Sequence, residues 1–151
     1  MARRIRSASF ATPAASPSRR GAAILEMALA LGLLLSLSFG TVEFGYFFFV
    51  KNTVQGAARE GARVAITPTG SNSDVTAAVN AALQAAGMRT ADFTTTVKVN
   101  GVVANCNTAV AGQTVEVNVQ ATWGTVGLRP LGLIGTSKNV LGAATMRKEG
   151  S

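Results

Sequence analysis

The chain has 151 residues, a length that accommodates one small domain and an anchor but excludes two full domains. Of its 14 basic residues, five are arginines within the first 20 positions, and nine remain against the seven acidic residues elsewhere. Because the positive excess lies in this tail and no folded basic face accompanies it, nucleic acid is not an expected partner. Histidine is absent and Cys106 is the single cysteine, which excludes histidine-dependent catalytic triads and an intramolecular disulfide.

A basic leader is predicted at the N-terminus, over residues 1–21. This segment is rich in Arg, Ala, Ser and Pro, lacks an apolar period, and is expected to be disordered. Arginines directly before a hydrophobic helix favour retention of that end on the cytoplasmic side of a membrane. The leader is therefore expected to be cytoplasmic.

One long helix is predicted over residues 22–66, because helix-forming apolar residues dominate and Pro68 disfavours helical geometry at Thr67. Its first part, up to Val50, is apolar and long enough to cross a bilayer hydrocarbon core of about 30 Å. Polar residues follow, together with small apolar residues spaced three and four apart: Val50, Val54, Ala57, Ala58, Gly61 and Ala65. This stripe is expected to cover a small domain or a neighbouring helix.

Two acids interrupt the apolar run. Glu26 lies near its start, where a charge costs less than the roughly 3 kcal/mol expected at mid-membrane. We predict that Glu26 is a recognition element that meets a positive group, such as a free amine at Ala22; the alternative is that it reaches the lipid headgroups. Glu43, near the other end, is expected to be solvated or interfacial.

Small residues also recur every fourth position within the apolar run, at Ala28, Gly32, Ser36 and Gly40. Such a strip lets helix backbones approach closely in a membrane. The strip is predicted to pack against another helix, although chance placement in a composition rich in small residues is the alternative.

Residues 67–151 are predicted to form a small exported domain. A short helix is expected to begin at Ser73-Asp74 and to stop near Gly87. Alternating β-branched residues predict strands over 94–99, 102–103, 114–123 and 137–147, and Asn100-Gly101 is typical of a two-residue hairpin turn.

The predicted fold class is therefore α+β: a long N-terminal transmembrane helix, a short helix and a small antiparallel sheet of three or four strands packed on helical surface. Two minor expectations accompany it. The apolar residues of the connection before the last strand, Leu128, Leu131, Leu133 and Ile134, are expected to tuck against the sheet or a membrane. Residues 148–150 are expected to form a polar end.

Several motifs occur in a set order: Arg20-Gly21-Ala22-Ala23, Leu25-Glu26, the apolar run, Val42-Glu43-Phe44-Gly45, Ala57-Ala58-Arg59-Glu60-Gly61-Ala62-Arg63 and the terminal Ala144-Thr145-Met146-Arg147-Lys148-Glu149. With them the block 19–63 resembles the TadE-like family of the Tad (tight adherence) pilus system. The resemblance implies a pilin-like protein of the bacterial inner membrane that assists assembly of a Flp-type adhesive pilus. It implies membrane lipid, a Flp-type pilin and other Tad assembly proteins as partners.

Gly21 followed by Glu26 is similar to the recognition motif of the prepilin peptidase, which implies cleavage between Gly21 and Ala22. Flp-type pilins typically have a tyrosine after the glutamate, whereas this chain has Met27. An unprocessed single-pass anchor with an external binding domain is therefore the alternative. For a minor pilin or pseudopilin, Glu26→Ala is expected to impair assembly more than Glu43→Ala.

Two other classes compete with this interpretation. An anchored enzyme is not expected, because Asp74, Asp92 and Glu116 are scattered and no metal-ligand cluster occurs, so no catalytic residue, cofactor, metal or small-molecule substrate is predicted. A secreted protein cleaved by signal peptidase is the other class, since Ser38-Phe39-Gly40 fits the small-x-small preference of that enzyme. The mature N-terminus distinguishes these interpretations. It is Ala22 after pilin-type processing, Thr41 after cleavage by signal peptidase, and the original N-terminus in an intact anchor.

Overall fold

A computed structural model describes residues 18–150, with side chains from residue 21 onward. The first helix, α1, spans Ser18–Ala65 and has 48 residues. It begins earlier than the predicted position 22, because no residue after Pro17 opposes helix formation. It ends close to the predicted position 66, where Pro68 disfavours helical geometry at the preceding residue. The rest of the predicted leader, residues 1–17, lies outside the described residues.

The chain divides into two compact units after Ser36, so the second unit includes the later part of α1. In this unit α1 is followed by α2, which spans Asn72–Ala85. Ser71 caps α2 in a reciprocal capping box with Asp74, two residues before the predicted start. The chain leaves α2 through Ala86 and through Gly87, whose φ of +75° is in the left-handed region that favours glycine.

Four antiparallel strands follow, in the spatial order β2-β1-β3-β4. Their bounds are β1 Thr94–Val99, β2 Val102–Val103, β3 Thr114–Thr122 and β4 Asn139–Arg147. Asn100 and Gly101 join β1 to β2 with φ values of +49° and +83°, as a two-residue hairpin turn requires. Short helical turns cover Thr90–Asp92, Cys106–Thr108 and Trp123–Val126, of which the last is α3. The strand predicted over 114–123 therefore ends at Thr122, and Trp123 belongs to α3.

The core lies between one face of the sheet and the two helices. From α1 it receives the predicted stripe, whose apolar members are at most 1% exposed. From α2 it receives Val75, Val79 and Leu83, and from β3 the alternating Val115, Val117 and Val119. The α+β fold class predicted from the sequence is confirmed, with four strands in the sheet.

Two glycines let the backbones approach each other closely in this core. A Cβ atom at Gly142 of β4 would lie 2.4 Å from the backbone oxygen of Val54 on α1. A Cβ at Gly61 would lie 2.7 Å from Cγ2 of Val79 on α2. Any side chain at these positions would force the helices and the sheet apart.

Candidate functional site

The residues predicted for recognition lie exposed on the N-terminal part of α1. Gly21, Ala22 and Glu26 are all exposed, and Gly21 lies inside the helix. Within the part of the chain that the structure describes, the Glu26 carboxylate has no hydrogen-bond or ion-pair partner. Cleavage at Gly21 stays a prediction.

The large apolar side chains of this part of α1 are exposed. Their exposed fractions range from 46% at Leu35 to 73% at Met27 and Leu33. The candidate span Gly21–Ala65 reaches a mean hydropathy of 2.1 and is long and apolar enough to cross a membrane. This helix therefore provides one candidate membrane span, consistent with a membrane anchor.

The exposure of the small residues in the strip differs between its first three members and its fourth. Ala28, Gly32 and Ser36 are exposed, and the hydroxyl of Ser36 donates a 2.8 Å hydrogen bond to the carbonyl of Gly32. Gly40 is buried instead, since Cδ1 of Leu133 lies 3.6 Å from where its Cβ would stand. The chain itself thus covers the fourth member of the strip. Helix packing by the first three stays a prediction.

Glu43 is fully buried, so the expectation of a solvated side chain is wrong, and an interfacial position stays a prediction. Its carboxylate accepts hydrogen bonds from the backbone amides of Ile134 at 2.8 Å and Leu131 at 3.2 Å. The amides of Gly132 and Leu133 also face it. Successive amides curled around an anion form a nest, and the φ of +68° at Gly132 supplies the left-handed turn that this needs.

The segment that wraps Glu43, residues 127–135, is here called the leucine loop. Glu43 and Gly40 lie one turn apart on the same face of α1, so the loop contacts both. Its leucines are not tucked against the sheet: Leu128, Leu131 and Leu133 are 50%, 41% and 56% exposed, and only Ile134 is half-buried. The backbone of the loop is fixed to the helix while its side chains point outward.

Lys148, which was expected to lie in a polar C-terminal tail, instead binds the C-terminal end of α1. Lys148 is only 6% exposed, and its ammonium donates hydrogen bonds to the carbonyls of Thr67 at 2.7 Å and Ala65 at 3.1 Å. A cation here satisfies carbonyls left free at the helix end and complements the helix dipole. Cys106 is buried close by, where its thiol contacts the Gly70 carbonyl, and burial raises its pKa.

Gln55 fixes the edge of the sheet to α1. Its side-chain amide donates to the Ala143 carbonyl at 2.7 Å and accepts from the Ala143 amide at 3.3 Å. These two hydrogen bonds satisfy backbone groups of β4, the strand at the edge of the sheet, as a neighbouring strand would. This residue carried no signal in the sequence, because an isolated Gln after an apolar run is ordinary on a helix surface.

The ionisable groups of this unit are dispersed. A cleft of about 220 Å³ between Tyr46, Phe93 and Val126 holds Arg89 and Asp92, which form an ion pair at 4.0 Å. Among the described residues, no group of three or more His, Cys, Asp or Glu side chains is placed to hold a metal ion. What the arrangement offers chemically is hydrogen bonding and apolar contact.

Comparison with known proteins gives one match. Residues 21–63 match the family model of TadE-like proteins. The match covers the part of α1 that contains Gly21, Glu26, Glu43 and Gly61, in agreement with the resemblance noted in the sequence. Neither the curated proteins nor the solved structures contain a match to the chain. The family match indicates a protein associated with the Tad pilus, and the apolar helix is consistent with membrane anchoring.

Proposed function

We propose that the protein is a minor pilin or pseudopilin that assists assembly of a Flp-type adhesive pilus from the bacterial inner membrane. The observation that carries this proposal is the TadE-like match over residues 21–63, in which Gly21 and Glu26 lie on an exposed apolar helix. The role is non-enzymatic: the protein acts through contacts with lipid, pilin and other Tad assembly proteins.

The proposed orientation places the N-terminus in the cytoplasm and the sheet-containing domain outside. Five arginines precede the apolar run, and Lys51 is the first basic residue after it. Basic residues in short segments beside a membrane helix are retained on the cytoplasmic side, which supports this orientation.

The proposed mechanism uses the exposed N-terminal part of α1. Cleavage after Gly21 by the prepilin peptidase gives Ala22 a free ammonium group, which is a partner for the Glu26 carboxylate of a neighbouring subunit. Both charges gain from pairing, because an unpaired charge in or near hydrocarbon is unfavourable. The small residues Ala28, Gly32 and Ser36 allow close approach of the helix that brings this pair together.

The first experiment is to determine the mature N-terminus of the membrane-extracted protein by terminal peptide mass spectrometry. A chain that starts at Ala22 supports processing by the prepilin peptidase. A chain that retains residues 1–21 makes the protein a permanent anchor, and the pairing of Ala22 with Glu26 is then wrong. A start at Thr41 contradicts the pilin-like role altogether, because it removes residues 21–40 of α1 together with Glu26.

The second experiment compares piliation in strains that carry Glu26→Ala or Glu60→Ala. Glu60 is the matched control, since it is an exposed acid of the same helix that pairs only with Arg63 at 3.0 Å. Glu43→Ala is unsuitable for this purpose, because Glu43 holds the leucine loop. Loss of pili with Glu26→Ala and retention with Glu60→Ala is the expected result; equal piliation contradicts the role given to Glu26.

A further inference from the structure

The leucine loop and the helix beside it expose one apolar surface. On the loop the exposed residues are Leu128, Leu131 and Leu133, and on the adjoining helix they are Leu37, Phe39, Val42 and Phe44, which are between 45% and 68% exposed. Contiguous apolar surfaces of this kind are rare on proteins that face only water, and they mark contact with a membrane or a partner.

This surface is rigidly joined to the helix. The Glu43 carboxylate binds the amides of Leu131 and Ile134, and Cδ1 of Leu133 lies 3.6 Å from where a Cβ at Gly40 would stand. The leucines are therefore fixed at the level of residues 40–43 of α1. Along the chain, these residues lie between the middle of the apolar run and Lys51, its first following basic residue.

We propose that the leucine loop inserts into the lipid leaflet nearer to the folded domain, as a second membrane contact beside α1. The inference rests on the proposal that α1 crosses a membrane. If it does, residues 40–43 reach the outer half of the hydrocarbon or its boundary, because about 20 residues suffice to cross it. The surface of the loop is then continuous with the lipid-facing surface of the helix.

The composition of the loop favours lipid over a protein partner. Residues 127–135 contain four large aliphatic side chains and the exposed Arg129, and no acid. The only carboxylate at the loop, Glu43, points inward and is enclosed by backbone amides. Arg129 can extend to lipid phosphates while its neighbours enter the acyl region, as basic residues at membrane interfaces do.

The test uses the full-length protein with Cys106→Ala, carrying a single new cysteine labelled with a nitrobenzoxadiazole fluorophore. Leu133→Cys probes the loop, and Leu31→Cys probes the apolar helix. Val102→Cys is the matched control: Val102 is an apolar residue of similar exposure, 69%, on a strand whose hairpin pairs with the Thr114 end of β3. Each protein is reconstituted in vesicles of phosphatidylcholine and phosphatidylglycerol containing acyl-chain spin labels.

We expect the label at position 133 to be quenched by a spin label high on the acyl chain about twofold more than the label at position 102, as a contact some 5–10 Å deep requires. The label at position 31 is expected to be quenched by a spin label deeper in the chain. Lys51 and Arg129 lie toward the headgroups in this arrangement.

The other outcomes separate the two proposals. Quenching at position 31 without quenching at position 133 overturns the loop insertion and leaves the membrane anchor intact. A position 133 label that is shielded from both lipid spin labels and aqueous iodide also overturns it, in favour of a protein contact. Absence of quenching at position 31 contradicts the membrane anchor itself and the loop insertion with it.

Discussion

Two parts of the same helix, residues 21–36 and residues 50–65 of α1, differ in which apolar residues they expose and which they bury. In the first part leucines, isoleucine and methionine are more than 40% exposed, whereas in the second part small residues such as Val54, Ala58 and Ala62 are fully buried. The large side chains of the first part are exposed to the surroundings of the protein. The small side chains of the second part pack closely in the core formed with α2 and the sheet. Apolar character alone therefore does not reveal what covers a helix.

The difference follows from what each part packs against. The backbone of β4 at Gly142 lies close to the backbone of α1 at Val54, and valine side chains of α2 and the sheet pack closely on Gly61, so a side chain at either position would meet a neighbour. If α1 crosses a membrane as proposed, lipid fills the space around the long side chains of residues 21–36, which then meet no such restriction. The predictions below test how strongly the packed part depends on its individual contacts. In each, unfolding of the detergent-solubilised protein is followed by the fluorescence of Trp123, which is the single tryptophan and is fully buried.

The largest effect is expected from Gly142→Val. The new side chain would meet the backbone of α1 at Val54 and Gln55, which cannot move without separating helix and sheet. We expect a loss of about 3 kcal/mol or more in the free energy of unfolding. Gly135→Ala is the control, since no atom lies within 4 Å of its Cβ position. Equal stability of the two variants would contradict the close packing at Gly142.

The second-largest loss of stability is expected from Glu43→Ala. It leaves the amides of Leu131 and Ile134 buried without their acceptor, which is costlier than losing an exposed contact. We expect the melting temperature to fall by about 5 °C or more, and hydrogen exchange at these two amides to accelerate. Glu26→Ala removes an exposed acid of the same helix and should change neither quantity. Slow exchange in Glu43→Ala would show that the loop is held by other contacts.

A smaller effect is expected from Lys148→Met, which keeps the apolar stem but removes the ammonium. The carbonyls of Ala65 and Thr67 lose their donor and the end of α1 loses a favourable charge. The expected cost is about 1–2 kcal/mol. Lys138→Met, at an exposed lysine, should stay within about 0.5 kcal/mol of the unaltered protein. The two methionine variants would be equally stable if the helix cap contributed nothing.

The smallest effect concerns the cap of α2. Ser71→Ala removes the hydroxyl that bonds the amide and carboxylate of Asp74, with an expected cost of about 1 kcal/mol. Thr69→Ala, at an exposed loop position nearby, is the control and should have little effect.

The cap of α2 also predicts how the stability of the fold depends on pH. Hydrogen bonds from the Ser71 side chain and amide hold the pKa of Asp74 below its ordinary value of 3.8. The ionised form thus stabilises the fold at neutral pH, and this contribution is lost as pH falls below 3.8 and through the lowered pKa. Ser71→Ala should weaken the pH dependence in this range. An identical pH profile in both proteins would contradict the assignment.

Elements with a local signal were predictable from the sequence. The alternation of Val115, Val117 and Val119 predicts β3, and Asn100-Gly101 predicts the hairpin, because period and turn chemistry depend on neighbouring residues only. The end of α1 follows from Pro68 for the same reason. The errors there amount to a few residues at the helix ends, the transfer of Trp123 to α3, and the start of β4 at Asn139, where position 137 was predicted.

The contacts of Glu43 and Lys148 were not predictable in this way. Glu43 binds amides 88 and 91 residues further along the chain, and Lys148 binds carbonyls 81 and 83 residues before it. Their only sequence signal was an acid inside an apolar run and a lysine directly after a strand. Neither signal identifies a partner, because the acceptors and donors are backbone groups that every residue carries.

The sequence by itself determined the long apolar helix, the stripe of small residues, the order of the strands along the chain and the TadE-like motifs, since each is written in residue type and spacing. Only the tertiary structure decided that Glu43 is buried, that Gly40 is covered by Leu133, and that three leucines of one loop remain exposed beside the helix. The physical reason is that burial depends on which distant backbone comes to lie against a side chain. That choice is made by the packing of helices and sheet, and not by the neighbours of the residue in the chain.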